Sequence, residues 1–260
     1  MFKDFINLYQ YRELLLALTK REVKVRYKQT ALGVLWAVAQ PLSLMITFTL
    51  IFGIFLKVKT SDVPYPLFYF SALLPWLFFS TSFTFGSLSI VNNGNLITKI
   101  YFPREVLPLS SLFAAFLDFI VGCLIFIVMM FYYHVPVTLN VIFLLPIIFI
   151  QIVFTSSIIF FTSSLIVVWR DLKFVVPLIT QLWMFAVPII YPLEKVPSNY
   201  QLIYKLDPMV VIIENFRKVT VFGKSPNWQD LFISFLVSVF MMILSYRILK
   251  YFERRFSDII

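Results

Sequence analysis

Charged positions in this chain are clustered, and long apolar tracts run between the clusters. Gln29 to Leu56, Val63 to Thr98, Phe119 to Trp169, Phe174 to Leu193 and Leu231 to Tyr246 contain no Asp, Glu, Lys or Arg. A helix needs about 20 apolar residues to cross the roughly 30 Å hydrocarbon core of a bilayer. The third tract is too long for one crossing, and His134 to Asn140 (HVPVTLN) divides it. None of the tracts alternates with period two, so a closed barrel is excluded and helices must satisfy the backbone. The pattern predicts an all-α integral membrane protein with six transmembrane helices, near 31–56, 67–90, 109–133, 141–168, 174–191 and 231–249.

The polar segments predict the rest. Tyr11 to Lys28 reads as an N-terminal amphipathic interface helix: Tyr11, Leu14, Leu15 and Leu18 share one face, and Lys20, Lys24 and Lys28 another. Between spans 5 and 6, residues 192–228 are polar but hold two apolar pieces, Gln201 to Leu206 and Met209 to Val221. Each is too short to span, and they predict short re-entrant or interfacial outer helices. The chain thus divides as one membrane domain, 1–260: an interface region (1–30), spans 1–5 (31–191), an outer region (192–228), span 6 (229–250) and a tail (251–260).

Composition agrees: 60% of residues are hydrophobic and 13% charged, against about 25% charged in a soluble domain. The bases orient the chain. Lys3, Arg12, Lys20, Arg21, Lys24, Arg26, Lys28, Lys99, Arg104, Arg170, Lys173, Arg247, Lys250, Arg254 and Arg255 fall on the side of both termini. Lys57, Lys59, Lys195, Lys205, Arg217, Lys218 and Lys224 fall on the other. Both termini are expected in the cytoplasm. The net charge of +9 follows from this bias and calls for no nucleic acid. With Cys123 the only cysteine and His134 the only histidine, neither a disulfide framework nor a His/Cys metal site is expected. Gly223-Lys224-Ser225 lacks the upstream glycine of a phosphate-binding loop, because Lys218 stands there. No enzymatic constellation is visible.

Two features inside the spans carry open alternatives. Trp36, Gln40, Ser43 and Thr47 form one polar and aromatic stripe, which either glues helices together or lines a pathway. Asp118 is an intramembrane carboxylate, either a structural hydrogen-bonding group or an ion-coupling residue. The hydroxyl-rich run of span 4 (Thr155, Ser156, Ser157, Thr162, Ser163, Ser164) suits close helix packing.

One polar, basic island, Asn92 to Pro108 (NNGNLITKIYFPREVLP), stands between spans 2 and 3. Its Asn92, Leu96, Ile97, Lys99, Phe102-Pro103-Arg104-Glu105 and Leu107-Pro108 resemble the cytoplasmic loop of ABC-2 permease subunits, specifically the polysaccharide exporters. The likeness extends to Leu32-Gly33-Val34-Leu35-Trp36 with Pro41, Pro75-Trp76, Trp169-Arg170-Asp171-Leu172, Ile189-Ile190-Tyr191-Pro192, and Asp207-Pro208-Met209 with Glu214, Phe216 and Arg217. The family's usual Asn-Pro-Met is Asp-Pro-Met here.

That resemblance implies export of lipid-linked O-antigen, capsular polysaccharide or teichoic acid across the inner membrane. It implies a homodimer of this chain with two copies of a separate ATPase, which would bind ATP and Mg while this chain binds no cofactor. Asn93, Leu96, Ile97, Lys99, Ile100, Tyr101, Phe102 and Arg104 would form a coupling helix in a cleft of that ATPase, with Arg170, Asp171 and Lys173 as secondary contacts. Trp36, Gln40, Ser43, Thr47, Trp183 and Tyr191 are the expected pore or substrate residues, since sugar rings stack on aromatic faces. Asp207, Pro208, Glu214 and Arg217 are expected at an outer gate. A drug or small-lipid permease of the same fold, an ion-coupled transporter using Asp118, and a membrane-embedded transferase are the rival expectations.

Overall fold

The computed structural model describes residues 9–28, 33–58, 60 and 63–253. The first eight residues of the interface region, Leu32 and the start of span 1, Asp62, and Arg254 and Arg255 in the tail lie outside the described residues. The regular elements found are helices. Five are long and apolar enough to cross a membrane.

Helix α1 (Arg12–Tyr27) is the expected interface helix. Its apolar face packs on protein: Leu18 is buried, with Tyr11, Leu14 and Leu15 partly buried, against Ile90, Ile97, Phe102, Val106 and Leu107. Span 1 is α2 (Trp36–Phe48), which contains Pro41 and continues as a π-helical stretch, Thr49–Phe55. Few of its side chains are buried.

The hub is α3 (Tyr65–Asn92), the most buried of the spans. It packs against α5 (Val106–Tyr132) and α6 (Leu144–Val168). Lipid gives no hydrophobic drive for helices to associate, so close approach of small residues must supply the contact. Gly86 does so, since a Cβ there would sit 2.5 Å from Ile159 Cγ2, and Gly122 does so against Leu74. Ser87 Oγ lies 2.6 Å from Thr162 Oγ1, and Gln151 Nε2 donates to the Pro75 carbonyl at 2.6 Å. Ser156, Ser157, Ser163 and Ser164 are buried, as span 4's packing role requires.

A short helix, α4 (Gly94–Lys99), bridges α3 and α5. After α6 comes α7 (Leu172–Ala186), where span 5 was expected. Its 15 residues measure about 22 Å, short of a full crossing. Helical geometry stops at Val187, whose ψ is 146°, because Pro188 lacks an N–H and pushes the residue before it to extended backbone. Val187 to Ile190 continue as a buried segment. The outer region then forms α8 (Ser198–Leu206) and α9 (Pro208–Thr220), and the last span is α10 (Trp228–Glu253).

The two ends of the bundle are distinguishable. At one end Leu18, Ile97, Val106, Val167 and Leu249 share a cluster. At the other, Asn140 donates to the Gly223 carbonyl at 2.7 Å and Phe143 stacks edge-on with Trp228. The segment from 172 to 227 therefore carries the chain from one end to the other. Helix α1 and the end of α10 lie together at the island end.

Candidate functional site

The island is built on a rigid base. Asn93 ends α3 and begins α4: its Nδ2 donates to the Ser89 carbonyl at 2.7 Å, and its Oδ1 accepts from the Arg21 guanidinium of α1. Ile97 and Phe102 are buried and Leu96 is half-buried. Arg104, also buried, donates to the carbonyls of Ile97 (3.1 Å) and Ile100 (3.2 Å), with its guanidinium 4.9 Å from the Phe102 ring. Glu105 is buried and accepts from Lys250 Nζ at 3.0 Å and the Tyr246 hydroxyl at 3.3 Å, while Glu253 accepts from the Arg104 N–H at 3.2 Å.

Of the residues expected to meet a partner, Ile97, Phe102 and Arg104 are thus occupied in shaping the island. Lys99, Ile100 and Tyr101 stand out from it, Ile100 with 55% and Tyr101 with 88% of its surface exposed. An exposed apolar and aromatic pair beside a base, held on a braced turn, is a surface suited to a protein groove. Arg170, Asp171 and Lys173 are exposed in the turn between α6 and α7, next to Val167 and so at the island end.

The stripe and Asp118 meet in one cavity. It has a volume of about 560 Å³ and is walled by α1, α2, α3 and α5, with Thr180 from α7. Trp36 and Gln40 line it; Ser43 and Thr47 continue the stripe along the exposed face of α2. Asp118 accepts from the Arg26 guanidinium and, at 2.7 Å, from the Tyr27 hydroxyl. Burial, reinforced by the Asp118 carboxylate, pushes the Tyr27 phenol above its ordinary range, so it is a hydrogen-bond donor at neutral pH. Arg26 also lies 4.4 Å over the Phe85 ring.

Trp183 and Tyr191 are held apart from the stripe. Trp183 Nε1 donates to Asp207 at 2.7 Å, and its ring stands edge-on to Phe79 and Phe154. Tyr191 donates to the Phe185 and Ala186 carbonyls at 3.2 Å and lies 3.3 Å from the Tyr204 hydroxyl. The outer-region residues form one interlocked unit. Asp207 caps α9 by accepting from the Met209 N–H at 2.9 Å, with Pro208 at the first helical position. Arg217 is buried, paired with Glu214 at 2.7 Å and donating to the carbonyls of Pro188 and Ile189.

Sequence reasoning passed over Arg21, Arg26, Tyr27, Lys250 and Glu253 as site residues. In the sequence Arg21 and Arg26 are two further bases of one short segment, Tyr27 adjoins them, and Lys250 and Glu253 follow the last apolar tract. Nothing local shows that each meets a carboxylate or amide far along the chain.

Residues 13–221 match the ABC-2 type transporter family. The O-antigen export system permease protein RfbA of Myxococcus xanthus is 33% identical over 239 residues, 91% of either chain. Its namesake from Klebsiella pneumoniae is 29% identical over 255 residues, 98% of this chain and 97% of that one. The polysialic acid transport protein KpsM of Escherichia coli is 25% identical over 252 residues, 89% of this chain and 91% of its own.

Proposed function

This chain belongs to the ABC-2 type transporter family, and we propose that it is the membrane-spanning permease subunit of an ATP-driven exporter of lipid-linked, O-antigen-like polysaccharide. Two copies form the pathway and two copies of a separate ATPase supply ATP and Mg chemistry. The assembly sits in the inner membrane with both termini in the cytoplasm, where the excess of Lys and Arg at the island end would hold them. Permease proteins of O-antigen export systems and a polysialic acid transport protein are its relatives along nearly the whole length.

The observation that carries the reading is the island: Ile100 and Tyr101 are displayed, beside Lys99, on a turn whose Ile97, Phe102 and Arg104 are buried in the bundle. ATP-driven closure of the partner would move α4 as a body, because Asn93, Arg104 and Glu105 fix it to α1, α3 and α10. A two-state bundle then opens for the glycan, provided the island binds the two ATPase states unequally. The Arg26 and Tyr27 contacts to Asp118 make that carboxylate a docking group, which favours this reading over an ion-coupled one.

The test is co-purification of the tagged chain with the ATPase encoded beside it. Ile100→Asp and Tyr101→Asp should release the ATPase and abolish surface glycan while the permease stays monodisperse. Retention of a fully active ATPase by both variants would refute the island's role. Phe102→Asp is not a clean probe, since its ring is 1% exposed and the change would disrupt the bundle itself.

A further inference from the structure

We infer that the cavity between α1, α2, α3 and α5 binds the phosphate headgroup of a lipid carrier, with Arg26 as the anion-binding residue and Asp118 as the internal carboxylate that competes for it. This rests on the export reading and adds to it the place where the carrier's phosphate is recognised.

Arg26 is incompletely satisfied. One terminal nitrogen of its guanidinium meets Asp118, and its face covers the Phe85 ring. The other, Nη2, is buried and has no hydrogen-bond partner among the described residues. A buried donor left without an acceptor costs about 1–3 kcal/mol, and such groups are uncommon enough to need a reason. A guanidinium is a planar fork whose paired N–H groups match a phosphate's oxygens, so an anion arriving from the cavity would supply the missing acceptor.

The surroundings suit a lipid phosphate in particular. Gln40 of α2 also lines the cavity, and its side-chain amide carries two N–H donors that a phosphate oxygen can use. Trp36, Phe78 and Phe119 give the remaining wall an apolar face for the chain beyond the headgroup. At about 560 Å³ the space is in the range of small-molecule sites. Trp36 at its margin is 47% exposed, so the cavity communicates with the surface. Arg26 and Tyr27 of the interface helix α1 form part of its wall.

Asp118 gives the proposal a distinctive sign. A phosphate beside Arg26 is repelled by the carboxylate that already holds the guanidinium, because like charges disfavour one another at short range. Removing the Arg26 charge should weaken lipid-phosphate binding. Removing the Asp118 charge while keeping an acceptor for Tyr27 should strengthen it.

The full chain with its ATPase, in phosphatidylcholine nanodiscs without ATP or glycan, is titrated with a radiolabelled long-chain polyprenyl diphosphate. Polyprenol and free pyrophosphate serve as competitors. The expected results are binding that polyprenol does not displace, a loss of about tenfold or more in affinity for Arg26→Gln, a smaller loss for Arg26→Lys, and a gain for Asp118→Asn. Equal weakening by Arg26→Gln and Asp118→Asn would mean the pair only docks α1, and would overturn the proposal. So would displacement by polyprenol, and so would free pyrophosphate competing as well as the lipid. The Asp118→Asn sign decides the matter even where Arg26→Gln does not fold. Surface glycan is scored separately, so a failure of headgroup binding is distinguishable from a failure of the export reading.

Discussion

Arg217→Leu gives the sharpest test of how the outer region is held. The side chain is 1% exposed, its Nη1 is 2.7 Å from Glu214, and its Nη2 is 3.0 Å from the Pro188 carbonyl and 3.3 Å from that of Ile189. The guanidinium lies 3.7 Å from the Phe68 ring centroid. Breaking a buried ion pair by removing one partner costs about 3–5 kcal/mol, and a desolvated cation–π contact is worth about 2 kcal/mol. These overlap and do not add. Glu214 keeps 29% of its side chain exposed, so water recovers part of the stranded carboxylate, and Leu replaces part of the packing. The net loss should be about 3 kcal/mol, or about 6–12 °C in Tm for a chain of this size. Thermal scans of detergent-purified protein by fluorescence-detected size exclusion measure it. Glu214→Gln in the same chain should restore part of the loss by removing the uncompensated charge. If Arg217→Leu melts within about 1 °C of an exposed control, Lys224→Ala, the guanidinium does not hold Val187 to Ile190 against α9, and the reasoning fails.

Other outcomes follow from the same packing. Gly86→Val should cost about 1–3 kcal/mol, because its Cβ would lie 2.5 Å from Ile159 Cγ2, and Ile159→Ala should rescue it in the same melting assay. Asp207→Ala removes both the α9 cap and the Trp183 acceptor and should cost about 1–2 kcal/mol, whereas Asp207→Asn keeps an oxygen acceptor and should leave surface glycan intact. Lys250→Met strands Glu105, whose side chain is 4% exposed, at a cost of about 3 kcal/mol. Adding Glu105→Gln should recover most of it, and no recovery would show that the carboxylate is not the cause.

What could be read beforehand tracks the range of the forces involved. Burial of backbone in lipid acts on every residue of a span, so uncharged tracts revealed the spans and the bases their common end. Span 5 came out shorter because Pro188 acts on Val187 locally, a signal that was visible but was subordinate to the length of the apolar tract. The island was legible as a short amphipathic helix, but not which of its apolar side chains face inward. Ile97 and Phe102 go under α1 and Ile100 does not, and only the docking of α1 decides that. The type of Trp183 suits a sugar pathway, and its bond to Asp207, 24 positions on, is a partner that only the fold reveals.

The role of α1 was the least legible and has the widest consequence. Arg21 contacts Asn93, 72 positions away, and Arg26 contacts Asp118, 92 positions away. On α1 those two arginines are five residues apart, about 7.5 Å along the axis. One short helix therefore grips the first turn of the island and the charged wall of the cavity together, and Leu18 seats its island end among Ile90, Ile97 and Phe102. On the proposed reading, force applied by an ATPase at α4 reaches Asp118 through α1 directly, without first rearranging α3. The basic face of Lys20, Lys24 and Lys28 stays exposed, while Arg21 and Arg26 beside it are turned to the protein and tie the island and the cavity wall to the same helix.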